Sequence, residues 1–424
     1  MSTLKVNKLR DTAGSTDAIT LDPNGGAVLA GVTTVTSVKV GAAVTISESG
    51  IEASGIGITC ANINGGQIGG RRNIIINGAM MIAERGTSST ATDNDLNTLD
   101  RFRVTFGGTD EAVTQAQVDV SSGDTGPYQE GFRKALKLTN GNQTSGAGAA
   151  DYVRIGYGIE AQDIANSGWN YTSSSSFITL SFWVNSSVSQ SFKVELYADD
   201  GTAQNFSFDT GTLSAGTWTK IVKTIPGNSN LTFDDNTGEG LYIRWLPFFG
   251  TDFSTSSYTE DTWAAYSSSA RIKDMTSTWY TTNDATFELT GVQLEVGSQV
   301  TPFEHRSKGE ELSLCQRYYY KHVDGNNQDI AAGMYYTANL CAFSVKFPVS
   351  MRGAPTLDYV SSSDAYTIYS NNQSDPFTSM SIVRAHVNSA ACDTSTGTSG
   401  TQGHGTSVST ASASGYIAYS SEIS

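Results

Sequence analysis

The chain has 424 residues, of which 26 are Lys or Arg and 41 are Asp or Glu, so its formal net charge is −15. Only 16% of the residues are charged, 10% are aromatic, and Gly, Ser and Thr are abundant, which argues against a coiled coil, a disordered chain and a nucleic-acid binder. Apolar runs fall short of the ~20 residues that span a bilayer, and the start lacks the apolar segment of a signal peptide. We therefore expect synthesis in a cytoplasm and no membrane insertion.

Residues 1–75 have the pattern of fibrous β structure. Short runs of Val, Thr and Ile at 32–40, 43–46 and 56–60 are separated by Gly, and a turn is indicated at 22–26. Such strands are too small to bury a core of their own. We expect this segment to intertwine with other copies or to dock on a partner, and a flexible Gly/Ser/Thr linker is the alternative.

Residues 76–305 carry repeated strand signals with alternating apolar positions and no long helical period. This pattern predicts an all-β sandwich with a long polar loop at 247–282. Examples of the predicted strands are 101–106, 135–138, 177–184, 192–197, 217–225, 241–245 and 285–294.

One helix is predicted at 307–319, within a connector that we assign to 306–322. Ser307 is a suitable N-cap, and Glu310 follows it at the spacing of a capping box. We interpret this helix as a short link between two β domains.

Residues 323–424 return to β patterning and are predicted to form a distal β-sandwich tip. The predicted strands are 341–347, 356–360, 366–369, 379–387 and 416–419. Residues 392–414 are almost wholly Ser, Thr, Gly and Ala, so we expect a mobile or partner-held loop there.

Motifs for catalysis, metals and cofactors are weak. Cys60, Cys315, Cys341 and Cys392 lie far apart without a CxxC pair, which indicates free thiols. No GxSxG, P-loop, GxGxxG or HExxH motif occurs. Residues 234–239 could offer oxygen ligands to calcium but lack the full loop pattern. We therefore predict no catalytic residues, no metal and no cofactor.

Aromatic residues in polar surroundings are the candidate ligand-binding set, because a pyranose ring has an apolar face and a rim of hydroxyl groups. Packing of the polar loop onto its own sandwich is the alternative for the first four, and core or subunit contact for the last three. The seven candidates are Trp263, Tyr266, Trp279, Tyr280, Tyr359, Tyr366 and Tyr369.

Four stretches of the sequence resemble tail-fibre and other receptor-binding virion proteins of tailed bacteriophages. STLKVNKLRDTAGS with AITLDPNGG, at the start, is similar to the opening repeats of such fibres. NIIINGAM at 73–80, with ERGT at 84–87 and DRF at 100–102, resembles the entry strand of their galactose-binding-like jelly rolls, and SFWV at 181–184 with TW at 217–218 resembles central strands.

The remaining two stretches lie further along the chain. FELTGVQLE at 287–295, continuing through TPFEHR at 301–306 to RYY at 317–319, is the most specific of the four. The fourth is FPVSMRGAPT at 347–356, together with the terminal strand at 415–422. These are structural motifs, so the resemblance implies an architecture and supplies no catalytic residues.

The resemblance implies a homotrimeric virion fibre in four parts. Residues 1–75 would attach to an adaptor, nozzle, baseplate or capsid protein, residues 76–305 would form the jelly roll, 306–322 the connector and 323–424 the tip. The expected function is non-catalytic adhesion to a host surface polysaccharide. The alternatives are a purely structural tail or capsid connector and a fibre-borne glycan depolymerase, which would need a carboxylate pair in a groove.

Overall fold

The computed structural model describes residues 71–90, 96–362, 364–394 and 398–423, together with the backbone of six short strands nearer the start. The chain divides into two compact units, Met1–Ala61 and Asn62–Ser424. None of the helices described is long and apolar enough to cross a membrane.

The first unit contains two three-stranded antiparallel sheets, with strand orders β1-β2-β3 and β4-β5-β6. The strands are β1 (Lys8–Leu9), β2 (Ile19–Leu21), β3 (Ala27–Leu29), β4 (Ser37–Val40), β5 (Val44–Ser47) and β6 (Gly50–Ala53). The predicted runs at 32–40 and 43–46 overlap β4 and β5. The predicted turn at 22–26, the run at 56–60 and Cys60 lie outside the described residues.

Within the second unit, two six-stranded antiparallel sheets form a sandwich. One sheet has the order β15-β12-β18-β10-β9-β7, and the other has the order β17-β14-β13-β16-β11-β8. The elements are β7 (Ser88–Ser89), β8 (Arg103–Gly107), β9 (Thr114–Asp119), β10 (Lys134–Thr139), β11 (Tyr152–Glu160), α1 (Ala161–Ala165), β12 (Phe177–Ser186), β13 (Ser191–Ala198), β14 (Gln204–Thr212), β15 (Thr219–Pro226), β16 (Glu239–Phe249), β17 (Ala264–Ala265), α2 (Thr278–Thr281) and β18 (Thr286–Val296).

Alternating side chains explain why these strands form two layers. On β13, Phe192, Val194 and Leu196 enter the core between the sheets, while Lys193 and Glu195 project from the opposite face. The chain crosses repeatedly between the sheets, as in a jelly roll. The all-β class with a jelly-roll-like sandwich, predicted from the sequence, is confirmed.

The stretch at 73–80 packs beside strand β18 of the sandwich, where Asn73 and Gly78 contact it. The Asn73 side chain donates to the Val292 carbonyl at 3.1 Å and accepts from the backbone N–H groups of Ile75 and Leu294 at 3.0 Å each. A Cβ atom on Gly78 would lie 2.0 Å from the Val292 carbonyl oxygen. The stretch therefore needs both residue types to dock beside β18.

Helix α3 (Lys308–Gln316) follows the sandwich. Ser307 is its N-cap, and the reciprocal capping box with Glu310 forms as predicted. The predicted helix is confirmed, although it ends three residues before the predicted boundary at 319. Its buried Cys315 packs with Ile76, Ile82 and Tyr318 in a small cluster of its own.

Residues 319–420 form two further antiparallel sheets around a separate hydrophobic cluster. The larger sheet has seven strands in the order β24-β23-β27-β20-β21-β26-β25, and the smaller has the order β19-β28-β22. The strands are β19 (Tyr319–Asp324), β20 (Asp329–Thr337), β21 (Leu340–Lys346), β22 (Thr356–Tyr359), β23 (Tyr366–Ser370), β24 (Gln373–Phe377), β25 (Ser381–His386), β26 (Ser389–Thr394), β27 (Gly405–Thr410) and β28 (Tyr416–Ser420).

The prediction of a loop at 392–414 is wrong for residues 392–394 and 405–410, which belong to strands. Strand β26 extends to Thr394, and β27 lies inside the seven-stranded sheet between β23 and β20. Thr406, Val408 and Thr410 are buried at alternate positions of β27. Small hydroxyl residues conceal the strand signal in the sequence because their hydropathy differs little from that of loop residues.

The residues after β28 return to the sandwich. The Glu422 carboxylate pairs with the Arg101 guanidinium and, at 3.1 Å, with that of Arg85. The guanidinium of Arg352 donates to the backbone carbonyls of Ser421 and Glu422 at 2.7 Å each. Arg101 is itself buried, so sandwich and tip share buried charge.

Candidate functional site

Four of the seven predicted ligand-binding aromatics are core residues. Trp279, Tyr280 and Tyr366 have no exposed surface, and Trp263 is 6% exposed. The Trp263 indole N–H donates to the Pro226 carbonyl at 2.8 Å, and that of Trp279 donates to Thr286 at 3.0 Å. Their interpretation as sugar-binding residues is corrected, because a ring without an exposed face cannot stack on a ligand.

The other three predicted residues are separated from one another. Tyr266 is half-buried, with its ring 4.7 Å from that of Tyr197 on the sandwich. Tyr359 is half-buried on β22 and lies 6.3 Å from the ring of the buried Tyr366. Tyr369, on β23, is 49% exposed, so it alone keeps a largely open ring.

Tyr369 belongs to the outward face of the seven-stranded sheet. In register, Tyr369 lies beside Ser407 on β27, and Ser407 lies beside Ala332 on β20. The buried Ile368 and Val408 occupy the opposite face, toward the tip core. Tyr369 and Tyr366 are three residues apart on one strand, which places them on opposite faces.

A groove of about 700 Å³ runs across this outward face and is here called the tip groove. Its residues come from four neighbouring strands, β20, β21, β26 and β25. They are Ala332, Gly333, Met334, Tyr336, Leu340, Ala342, Phe343, Ser344, Val383, Arg384, Ala391, Cys392 and Asp393.

Small side chains form the floor of the tip groove and larger ones form its walls. Ala342 lies opposite Met334 on one neighbouring strand and opposite Asp393 on the other. Tyr336 is 65% exposed, Val383 54% and Met334 46%. This concentration of exposed apolar side chains on one sheet face is typical of an interaction surface.

Polar groups accompany the apolar walls. Asp393 accepts a hydrogen bond from the Ser381 hydroxyl at 2.7 Å, and Ser344 and Arg384 are exposed. The groove thus combines an aromatic ring with hydroxyl, carboxylate and guanidinium groups. That combination can bind a sugar through its apolar face and its hydroxyl rim.

The tip groove is poorly equipped for catalysis. Asp393 is the single carboxylate among its lining residues, so a paired acid and base are not available there. Burial raises the pKa of the Cys392 thiol, which disfavours the nucleophilic thiolate. Cys315, Cys341 and Cys392 are all buried free thiols.

The possible calcium ligands at 234–239 take part in ordinary turn hydrogen bonds. The Asp200 carboxylate accepts from the Asp234 backbone N–H at 2.9 Å, and the Asn236 side chain accepts from Gly238 at 2.7 Å. The residues described include no group of three or more His, Cys, Asp or Glu placed to hold a metal ion.

The sequence analysis did not identify Met334 and Tyr336, two exposed apolar residues that line the tip groove. Both lie on β20, which was not predicted as a strand. The usable signal was the run of Ala332, Met334 and Tyr336 at alternate positions, which share one face of a strand.

No protein-family model matches the sequence, and no curated protein matches it. Among solved structures, the enzymatically active domain of bacteriophage CBA120 tailspike protein 4 is 9% identical, with 53% of this chain and 21% of that chain covered and a TM-score of 0.28. This chain therefore spans about a fifth of that structure.

Two other solved structures have similar scores. A putative sugar binding protein from Bacteroides thetaiotaomicron is 11% identical, with 53% of this chain and 99% of that chain covered and a TM-score of 0.29. The CBM22-1 xylan-binding domain from Paenibacillus barcinonensis is 10% identical, with 50% and 94% covered and a TM-score of 0.24. At these scores the similarities establish neither a shared fold nor a shared ligand.

Proposed function

We propose that this chain is a non-catalytic tail-fibre adhesin of a tailed bacteriophage, which binds a host surface glycan through the outward face of the tip. The observation that carries the proposal is the tip groove, where Tyr336 and Met334 stand over an alanine floor on an exposed sheet face. Its volume of about 700 Å³ is in the range of small-ligand sites.

The virion context of the proposal comes from the sequence stretches that resemble phage fibres. Residues 1–75 would attach the protein to another virion protein, and three copies would present three tip grooves to the cell surface. Each sugar contact is weak, so the simultaneous engagement of several grooves would supply the strength of attachment.

Two competing functions make different demands on the same surface. A purely structural connector would bury the outward face of the tip sheet against another virion protein and would not bind cells. A depolymerase would release reducing ends from host polysaccharide. The single carboxylate in the tip groove supports binding over cleavage.

The direct test is binding of fluorescently labelled full-length protein to host cells and to phage-resistant cells, in competition with phage adsorption. We expect saturable binding to host cells alone, and blocked adsorption. Tyr336→Ala and Tyr369→Ala should each weaken the apparent affinity at least tenfold, because each removes an exposed ring from the outward face.

Val222→Ala is the matched control, because Val222 is 43% exposed on the sandwich, away from the tip sheet. It should bind as the parent protein does. Absence of saturable cell binding would favour the connector, and release of reducing ends would favour the depolymerase. Light scattering should give three times the chain mass of 45.0 kDa, and a monomer mass would contradict the trimer.

A further inference from the structure

A second polar and aromatic surface lies on the outward face of the sandwich sheet that contains β8, β11, β16 and β13. Gly156 on β11 lies opposite Arg103 on one side and opposite Arg244 on the other. Arg154 precedes Gly156 by two residues and so shares its face. This arrangement places three guanidinium groups on adjoining strands of one face.

One nearby carboxylate, Glu195, is already bonded to two arginines. It is fully buried and lies opposite Arg244 in register. It accepts from Arg244 at 3.1 Å and from Arg271 at 3.0 and 2.6 Å. Two guanidinium groups therefore share one negative charge.

Arg154 has a different environment. Its Nε donates to the Thr105 hydroxyl at 2.6 Å, and in the ranges that the structure describes no ion pair joins it to a carboxylate. Burial, followed by the charge of Arg244, lowers its pKa. The Glu239 carboxyl lies near this surface, 3.3 Å from the position of a Cβ atom on Gly158, and burial raises its pKa to about 7, so it is only partly charged at neutral pH. A half-buried guanidinium without a full counter-charge is costly, and binding of an anion would offset that cost.

Tyrosine rings arrange the groups around Arg154. A Cβ atom on Gly156 would lie 2.1 Å from the Tyr242 hydroxyl oxygen. This hydroxyl therefore lies over Gly156, on the strand between Arg103 of β8 and Arg244 of β16. The Arg244 guanidinium lies 4.6 Å from the Tyr242 ring centre and 4.8 Å from that of Tyr197. Arg154 lies 5.4 Å from the ring centre of Tyr152.

Arg154, Tyr242 and Arg244 are partly buried and each keeps some exposed surface, which for the Arg244 side chain is 12%. Guanidinium groups bind carboxylate and phosphate through paired N–H donors, and the Tyr242 hydroxyl supplies a further donor. The rings offer an apolar surface of the kind that a pyranose covers. The net charge of −15 disfavours a densely anionic polymer, so an isolated anionic group on a sugar fits best.

We propose that Arg154, Tyr242 and Arg244 form a binding site for an oxyanion carried by a saccharide, either the carboxylate of an acidic sugar or a phosphate ester. The site lies on the sandwich, so this proposal is independent of glycan binding at the tip groove.

The test is calorimetric titration of the full-length protein with glucuronic acid, glucose 6-phosphate, glucose and inorganic phosphate at low salt. We expect at least one charged sugar to bind tenfold more tightly than either glucose or inorganic phosphate, with affinity that falls as salt rises. Glucuronic acid and glucose 6-phosphate distinguish the two oxyanion sources.

Arg154→Gln should reduce binding of that charged sugar at least tenfold, and Tyr242→Phe should weaken it without removing a ring. The control is Arg133→Gln, because Arg133 also lies over a tyrosine, 3.9 Å from the Tyr128 ring centre, but outside this surface. Melting temperatures close to the parent value would show that the variants fold.

Equal affinity for glucose and both charged sugars would overturn the proposal, as would full binding by Arg154→Gln. Inorganic phosphate that binds as tightly as the charged sugars would overturn the role of the saccharide. Tyr336→Ala should leave charged-sugar binding unchanged, which separates this site from the tip groove.

Discussion

Glu160, at the end of strand β11 in the sandwich, accepts two hydrogen bonds from the guanidinium of Arg317, one on each carboxylate oxygen, at 2.8 Å. The hydroxyl of Tyr318 donates to the same carboxylate at 2.5 Å. Glu160 has no exposed side-chain surface. A residue directly after the connector helix thus neutralises a charge buried in the sandwich.

Removal of Arg317 should therefore destabilise the protein strongly. Arg317→Ala leaves the buried Glu160 carboxylate without its counter-charge, and we expect a loss of ~3 kcal/mol in the free energy of unfolding. Urea denaturation at pH 7 measures the loss. The double variant Arg317→Ala/Glu160→Gln should recover part of it, and no recovery would contradict the buried-charge explanation.

The same pair sets a stability limit at acid pH. Burial alone would raise the pKa of Glu160, but the bonds from Arg317 and Tyr318 outweigh it and bring the pKa below its ordinary value of 4.5. The unfolded chain then takes up this proton first as pH falls. Its contribution to stability is present above pH 4.5 and is lost as the pH drops through the folded-state pKa.

Glu84 should produce the opposite pH dependence. Burial, followed by the charge of Asp100, raises the pKa of Glu84 from 4.5 to about 7, and burial raises that of Asp100 from 3.8 to about 6. Between these ordinary and raised values the folded state holds protons that the unfolded state has lost. The free energy of unfolding should fall as pH rises from about 4 to 7.

Glu84→Gln should flatten this fall, by at most ~1.4 kcal/mol per pH unit. Urea denaturation at half-unit steps from pH 5 to pH 8 measures the two slopes. If the variant and the parent protein lost stability equally across this range, the buried carboxyl of Glu84 would not be its source.

Gly78 should tolerate no side chain. Gly78→Ala places a Cβ atom where the Val292 carbonyl oxygen lies 2.0 Å away, so the entry segment must shift from β18, and we expect a loss of ~3 kcal/mol in the free energy of unfolding. Gly309→Ala is the control, because Gly309 lies in helix α3 with open space around its Cβ position.

The control change should raise the free energy of unfolding by up to ~1 kcal/mol, since alanine is the better helix former. Thermal melts of both variants give the comparison. Similar melting temperatures for the two alanine variants would contradict close docking of residue 78.

Trp279 and Tyr369 should separate stability from binding. Trp279→Ala removes a fully buried ring and should cost ~3–5 kcal/mol. Tyr369→Ala removes an exposed ring and should change stability by no more than ~0.5 kcal/mol. Cell binding below the melting temperature should survive the first change and weaken with the second, and the reverse pattern would restore Trp279 as a ligand-binding residue.

Local signals in the sequence predicted the helix well, because Ser307 and Glu310, three residues apart, form its capping box. Strand β27 was missed because its Ser, Thr and Gly residues are buried only through the neighbouring strands β20 and β23. Strand β11 was missed because Gly156 and Gly158 interrupt its apolar alternation, and with it the face that carries Arg154.

The candidate site was predicted only in part. The spacing of Tyr366 and Tyr369 already places them on opposite faces of one strand, so the sequence could have separated the core tyrosine from the exposed one. The burial of Trp263 and Trp279 could not be predicted locally, since it depends on how residues 250–285 fold back over the sandwich.

The pairing of Glu422 with Arg85 and Arg101 bears on how such a protein could acquire a new tip. By chain order, the connector helix looks like the natural place to exchange one tip for another. By energy it is not, because a foreign tip would leave the buried Arg101 without its acid and would leave Arg85 with Asp100 alone. A new tip that preserves stability must therefore carry an acidic residue after its final strand. Recombination at the connector helix is thus constrained both at the helix itself and about 100 residues later, at the position of Glu422.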